Sequence, residues 1–166
     1  MDPNYIKPFI ASIQNVFSTM LQLPVTVGDP RIKSGMAPEH DISGIIGMSG
    51  DVIGNVVLSF KLDSAVAIVS LFCGQKLEPG TPDFADAVGE LVNMVSGNAK
   101  ALFKDRKVSI SCPSVIIGNG HHVARPSDVP CVVIPCSTDC GEVTIEVAIK
   151  ERTGVANTNA PAAAKA

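Results

Sequence analysis

Apolar residues recur at helical spacing in two long segments of the chain. The first predicts a helix that ends before Pro24, with this apolar stripe: Ile6, Phe9, Ile10, Ile13, Phe17, Met20 and Leu21. The second predicts a helix from Asp83 to about Lys104. Its apolar stripe comprises Val88, Leu91, Val92, Val95, Ala99 and Leu102. Each helix is therefore expected to pack one face against a hydrophobic core.

Runs rich in β-branched residues, bounded by Gly, Pro, Asp or Ser, predict six strands. They are Pro24 to Val27, Ile42 to Ser49, Val52 to Phe60, Val108 to Ile117, Cys131 to Cys136 and Val143 to Lys150. Ser49, Gly50 and Asp51 supply turn chemistry, which joins the second and third strands in a hairpin. A short helix is expected from Ser64 to Cys73, ending at Gly74.

The two halves of the chain share the order helix, strand, hairpin. A proline follows the opening valine of the first strand at the same interval in each half, Val25 to Pro30 and Val108 to Pro113. This repetition suggests an internal duplication. The predicted fold is α+β, with two long helices and a short one layered on a largely antiparallel six-stranded sheet. We expect a single domain over residues 1–153 and a flexible tail over 154–166.

Composition narrows the class of protein. The chain has 166 residues, of which 46% are hydrophobic and 17% charged, as expected for one globular domain. The net charge of −3 lacks the basic excess that contacts with nucleic acid require. The N-terminus does not resemble a secretory signal, and the longest apolar stretch is about half the roughly 20 residues that span a bilayer. We therefore expect a cytoplasmic protein with no membrane or nucleic-acid partner.

The cysteines and histidines do not form a recognisable site. Five cysteines, an odd number set mostly among apolar neighbours, favour reduced and buried thiols over a disulfide framework. A zinc site would use His121, His122, Cys131, Cys136 and Cys140, but these residues lack the paired spacing of structural zinc ligands. No metal site is therefore predicted, and no arrangement for nucleophilic catalysis stands out.

Four glycines in the predicted hairpin superficially resemble a phosphate-binding loop: Gly44, Gly47, Gly50 and Gly54. No Gly-Lys-Ser/Thr follows them, and the next element is a strand instead of a helix. Hairpin turns are the preferred explanation.

The polar side of the second long helix carries the candidate chemistry. Asp86, Glu90, Asn93 and Gly97 follow one another at steps of four, three and four residues, which places them on one stripe opposite the apolar one. A glycine inside a helix costs about 1 kcal/mol relative to alanine, and close approach of another molecule is one reason to keep it. The alternative is an ordinary solvated face with a tolerated glycine.

The segment from Asp86 to Lys100 resembles the signature helix of the CheC/CheX/FliY family of chemotaxis phosphatases, in which an acid, a Glu and an Asn occur at this spacing. The segment from Ile42 to Phe60 is similar to the family's hairpin, and the order of elements agrees as far as about Glu151. The likeness is to CheX, which has one site, because the first helix carries Ser12 three residues before Asn15 and no acid.

The resemblance implies hydrolysis of the aspartyl phosphate on a CheY-type receiver domain, which supplies its own Mg²⁺. Asn93 would orient the attacking water, as a Gln does in GTPases, and Glu90 would pair with a receiver lysine. Asp86, Gly97 and Lys100 would contact the partner, and the chain would form a homodimer. The alternatives are a non-catalytic module that docks on a receiver or a flagellar switch component, and a small-ligand sensor.

Overall fold

The computed structural model describes residues 3–34, 40–124 and 128–152, and the expected tail at 154–166 lies outside them. The helices are α1 (Lys7–Leu21), α2 (Leu62–Cys73) and α3 (Pro82–Ala101). The strands are β1 (Thr26–Val27), β2 (Arg31–Ile32), β3 (His40–Gly50), β4 (Val52–Phe60), β5 (Val108–Ile110), β6 (Ser114–His121), β7 (Val132–Thr138) and β8 (Gly141–Glu151). These elements confirm the predicted helices, and the strand prediction is correct except at two places.

The strands form one sheet in the order β1-β7-β8-β4-β3-β5, with β2 also paired to β7 and β6 also paired to β3. Every pairing is antiparallel, which confirms the α+β class. The sheet has eight strands instead of six, because β2 was not predicted and the expected strand from Val108 to Ile117 is two strands. Pro113 has no N–H to donate, and it lies between β5 and β6.

The pairing supports the duplication that the sequence suggested. The first strand of each half joins the hairpin of the other half: β1 pairs with β7, and β5 pairs with β3. The hairpins β3-β4 and β7-β8 meet along β4 and β8, from Val52 opposite Glu151 to Phe60 opposite Val143. The two halves therefore share one continuous sheet.

The main core lies between the helices and one face of the sheet. It is built from completely buried side chains such as Phe9, Phe17, Phe84, Ile46 and Leu58. The centroids of the Phe9 and Phe103 rings are 6.0 Å apart in an edge-on contact, which adds to the burial energy of both rings. Because α1 and α3 are both in this layer, they share a long contact.

Two residues assigned to the apolar stripes face solvent instead. Met20 is 53% exposed near the end of α1, and Leu102 is 45% exposed at the C-terminal cap of α3. Leu102 is the last residue of its stripe, so the apolar stripe of α3 was predicted too long. The stripe of α1 is covered to its end, because Leu21 is buried and only Met20 beside it faces solvent.

Only one of the four glycines in the first hairpin has the predicted role of forming the turn. Gly50 does lie at the turn, with a φ of 107°. Gly44 and Gly47 instead lie within β3, and Gly54 lies within β4. The prediction that hairpin turns account for all four is wrong, since three of them lie inside strands and only Gly50 is at the end of β3 beside the turn.

None of the five cysteines, all of which lie in the described ranges, is in a disulfide bond. Cys131 and Cys136 are buried, and burial raises the pKa of the Cys136 thiol to about 11. Cys73 and Cys112 are exposed, so the expectation of buried thiols fails for these two. Across the part of the chain that the structure describes, none of the helices is both long and apolar enough to traverse a bilayer.

Candidate functional site

The start of α3 is set by local sequence. Thr81 is the N-cap, and its Oγ1 accepts a hydrogen bond of 3.3 Å from the backbone N–H of Phe84. Pro82 occupies the first helical position, and Asp83 lies in the first turn, where a negative charge complements the helix dipole. The helix therefore has a defined start, which fixes the rotation of every later side chain about its axis.

The inner stripe of α3 anchors the helix to the sheet. The predicted stripe residues other than Leu102 are buried: Val88, Leu91, Val92, Val95 and Ala99. Close approach to β3 is possible because Gly44, directly beneath Val92, has no side chain. The helix is thus a rigid support for whatever its outer face carries.

The outer stripe carries the predicted site residues. Asp86, Glu90 and Lys100 are exposed, whereas Asn93 and Gly97 are half-buried. Residues three apart on a helix have β-carbons roughly 5–6 Å apart, so Glu90 and Asn93 are neighbours. Neither side chain is hydrogen-bonded to any residue within the described ranges. Their polar groups are therefore available to another molecule.

A loop that follows β5 forms a wall beside this stripe. A β-carbon built on Gly89 would lie 3.3 Å from Pro113 Cγ, so Pro113 packs directly against α3 one residue before Glu90. Ser111 holds the loop to β3, because its backbone N–H donates to Gly47 O at 2.9 Å and its Oγ accepts from Gly47 N–H at 3.0 Å. The sequence identified Pro113 but not Gly89, whose only signal was a second glycine inside the helix.

Gly97 is not required by internal packing. A β-carbon at this position would lie 3.9 Å from Ile110 Cδ1, which is an ordinary van der Waals distance. Gly44 and Gly89 have much tighter surroundings. The helix-interior glycine at 97 therefore has no explanation within the described part of the protein.

The first long helix, α1, carries no equivalent pair. Ser12 is completely buried, and its Oγ donates a hydrogen bond of 2.6 Å to the carbonyl oxygen of Val95. Asn15, three residues later, is exposed, so the two side chains do not share an outer face. No Asp or Glu occurs anywhere in α1, so this helix lacks the acid of the α3 stripe.

The histidines and cysteines are not gathered into a cluster. His121 Nδ1 lies 2.7 Å from Gly118 O, and its Nε2 lies 2.8 Å from Ser43 Oγ. Because a carbonyl only accepts, Nδ1 carries the proton that it donates to Gly118. No group of three or more His, Cys, Asp or Glu in the described ranges is placed to hold a metal ion.

Comparison with known proteins places these features in a family. The family described as chemotaxis phosphatase CheX matches residues 42–137, more than half of the chain. A Thermotoga maritima protein named CheY-P phosphatase CheX is 27% identical over 121 residues, which are 71% of this chain and 78% of that protein. The residues matched by the family include α3 and the loop between β5 and β6 that carries Pro113.

Solved structures agree with the assignment. The crystal structure of the chemotaxis protein CheX from Desulfovibrio desulfuricans is 32% identical, with a TM-score of 0.81 over 89% of this chain and 99% of that one. The CheX-CheY-BeF₃-Mg²⁺ complex from Borrelia burgdorferi has the same fold, with a TM-score of 0.76 at 22% identity over 89% of this chain and 98% of that one. The fold, the acid and amide on α3 and these matches lead to one conclusion: the chain belongs to the CheX family of chemotaxis phosphatases.

Proposed function

We propose that this protein hydrolyses the aspartyl phosphate of a CheY-type receiver domain, using Asn93 and Glu90 on the outer face of α3. The observation that carries the proposal is the pair itself: an amide and a carboxylate one turn apart, on a helix anchored by a buried stripe, and hydrogen-bonded to no described residue. The related protein from Thermotoga maritima is named a CheY-P phosphatase, which supports the same substrate.

The chemistry requires little beyond a positioned water. An aspartyl phosphate is hydrolysed when water attacks phosphorus in line with the departing carboxylate oxygen, so that the P–O bond to aspartate breaks and inorganic phosphate forms. The carboxamide oxygen of Asn93 accepts a hydrogen bond from this water and fixes its direction of attack. The amide does not titrate, so it acts through position, and the proton released from water leaves with phosphate or solvent.

Glu90 has a different role in this proposal. Its exposed carboxylate lies one turn before Asn93 and can form an ion pair with a lysine of the receiver. Such a pair sets how deeply Asn93 enters the phosphorylated pocket. Asp86, Gly97 and Lys100 lie along the same stripe and contact the partner on either side of the pair.

The metal of the reaction belongs to the partner in this proposal. The Borrelia burgdorferi complex contains CheY, BeF₃ and Mg²⁺ together with CheX. We assign the Mg²⁺ to the receiver, where it neutralises charge on the phosphoryl group. The homodimer implied by family resemblance is part of the same proposal, and sedimentation equilibrium tests it independently of activity.

The decisive experiment mixes the protein with a ³²P-labelled CheY-type receiver and follows the loss of label from the receiver. We expect the label to disappear faster in proportion to the amount of protein added. Unchanged decay together with measurable binding would instead identify a non-catalytic docking module. Removal of Mg²⁺ by EDTA is expected to abolish the acceleration, because the receiver loses its metal.

A further inference from the structure

A second surface lies beyond the C-terminal end of α3, where that helix meets the beginning of α1. The two helices run antiparallel, since Ser12 contacts Val95 whereas Phe9 contacts Phe103. Their ends enclose a cavity of about 560 Å³. We call this cavity the basic groove, and its lining includes Tyr5, Lys7, Leu102, Phe103, Lys104 and Arg106.

The charges in the basic groove have one sign. Lys7, Lys104 and Arg106 line it, and none of its described lining residues is acidic. Arg106 is partly neutralised, because its guanidinium pairs with Glu151 and lies 5.5 Å from the centroid of the Tyr5 ring. Lys7 and Lys104 form no ion pair with any residue in the described ranges. Two cations therefore remain available to a ligand of opposite charge.

Helix dipoles explain only part of this arrangement. A cation such as Lys100 in the last turn of α3 complements the negative end of its helix. Lys7 has the opposite position, in the first turn of α1, where a positive charge is unfavourable for its own helix. Its presence beside Lys104 is therefore not accounted for by the stability of α1.

The basic groove begins where the outer stripe of α3 ends. Lys100, the last residue of that stripe, is seven residues after Asn93, or roughly 10 Å along the helix axis, and the groove residues Leu102 to Lys104 follow it in the chain. The stripe is acidic at its start, with Asp86 and Glu90, and the surface becomes basic towards the groove. A protein that docks over Asn93 with one acidic and one basic region can match this gradient in only one orientation.

We infer that the basic groove receives an acidic segment of the same phosphorylated partner, and so fixes the orientation in which that partner docks on α3. The inference rests on the proposed function for the identity of the partner. The apolar wall formed by Leu102 and Phe103 suits a segment in which acidic side chains flank an apolar one. The groove is thus a specificity surface that begins roughly 13 Å beyond Asn93 along the axis of α3.

Charge reversal tests the inference. The variant Lys7→Glu/Lys104→Glu is compared with Lys61→Glu/Lys150→Glu, which changes net charge equally at exposed lysines that do not line the groove. Binding to a CheY-type receiver carrying BeF₃ and Mg²⁺ is measured by calorimetry in 50 mM and 500 mM NaCl. We expect the groove variant to raise Kd at least tenfold at 50 mM, and the difference to shrink to about threefold at 500 mM. The control variant should remain within about threefold of the wild type at both salt concentrations.

Kinetics separate the inference from the proposed function. The groove variant should raise KM for the phosphorylated receiver by a similar factor, with kcat within about twofold of the wild type. Equal Kd values for the groove variant and the wild type overturn the inference. Binding of a small anion such as ATP to the groove would not rescue it, because the inference concerns a segment of the receiver. Receiver binding without any phosphatase activity in the wild type overturns the proposed function alone, and the Kd comparison still decides the role of the groove. No binding by the wild type overturns both the inference and the proposed function.

Thermal midpoints equal to that of the wild type establish that the groove variant and the control variant are folded.

Discussion

Gly44 in β3 lies directly beneath Val92 in α3, so closely that a β-carbon built on the glycine would be 2.8 Å from Val92 Cγ1. Val92 is completely buried, and the next residue along the helix is Asn93. The contact brings the backbone of α3 close to the sheet at the position of the proposed active site. The depth at which Asn93 is held therefore depends on a glycine in another element.

The contact predicts a non-additive double-mutant cycle. Gly44→Ala should destabilise the protein by about 1–3 kcal/mol through overpacking, and Val92→Ala by a similar amount through lost core volume. In the double variant the new methyl group occupies space vacated by valine, so the combined loss should be at least about 1 kcal/mol smaller than the sum. Urea unfolding of all four proteins measures this difference.

Gly97→Ala is the matched control for that cycle, because a β-carbon there would meet only Ile110 at an ordinary distance. We expect it to stabilise the isolated protein by up to about 1 kcal/mol through helix propensity. If the losses of stability in Gly44→Ala and Val92→Ala are fully additive in the double variant, the prediction is wrong, and the helix can shift freely on the sheet.

Asn93→Ala should lower the rate of receiver dephosphorylation by roughly 100-fold, since a misplaced reactant commonly costs that much. The unfolding midpoint should be nearly unchanged, because the amide makes no hydrogen bond to the described residues. Single-turnover loss of phosphate from the receiver gives the rate. Asn15→Ala, which removes an exposed amide from α1, should retain the wild-type rate. A full rate in Asn93→Ala would exclude this residue from the chemistry.

Glu90→Gln separates docking from chemistry. Loss of the negative charge removes the proposed ion pair with a receiver lysine, so KM should rise about tenfold, which corresponds to roughly 1.4 kcal/mol. A Gln retains the shape of the side chain and can still donate and accept hydrogen bonds, so kcat should fall less than in Asn93→Ala. Initial rates over a range of receiver concentrations separate the two parameters. A large fall in kcat with unchanged KM would instead assign Glu90 a direct part in proton transfer.

A buried ion pair on the face of the sheet away from the helices predicts a large stability effect. Lys33 Nζ is 2.9 Å from Glu146 Oε2, and the Glu146 side chain is 3% exposed. Lys33→Met should cost about 3 kcal/mol in the free energy of unfolding, because it leaves a buried carboxylate without this cation. Lys33→Met/Glu146→Leu should recover most of that loss. The exposed pair of Lys150 with Asp128 provides the comparison, and Lys150→Ala should cost under about 1 kcal/mol.

The buried side chain of His40 should make the protein less stable in mild acid. Burial, followed by the charges of His121 and Lys33, lowers the pKa of His40 below 6.5. The Glu146 carboxylate is 3.9 Å from its Nε2 but is already engaged by Lys33. The unfolded chain therefore binds a proton at this position more readily than the folded chain does. The free energy of unfolding should fall as the pH drops below about 6.5, and the contribution is complete above it.

Denaturant unfolding at pH 7.5 and pH 5.5 measures the effect. His40→Gln should lose less stability between these pH values than the wild type, whereas His122→Gln, at an exposed position, should follow the wild type. Identical pH dependence in His40→Gln and the wild type would assign the acid sensitivity to other groups.

Sequence patterns were sufficient wherever the structure depends on near neighbours. The 3.6-residue period of α3 correctly separated Val88, Leu91 and Val92 from Glu90 and Asn93, because helical geometry determines which side chains share a face. The Val52–Phe60 strand and its hairpin partner were also predicted, since runs of β-branched residues around turn chemistry are local signals.

Contacts between distant segments required the folded protein. The closeness of Gly44 to Val92, the packing of Gly89 on Pro113 and the burial of Ser12 depend on how helices seat on the sheet, which no local period encodes. The Lys33–Glu146 pair joins residues 113 positions apart, and the basic groove forms because antiparallel α1 and α3 place Lys7 and Lys104 in the lining of one cavity. Local periodicity thus identified the face that carries the chemistry, whereas packing between remote segments set its depth and its surroundings.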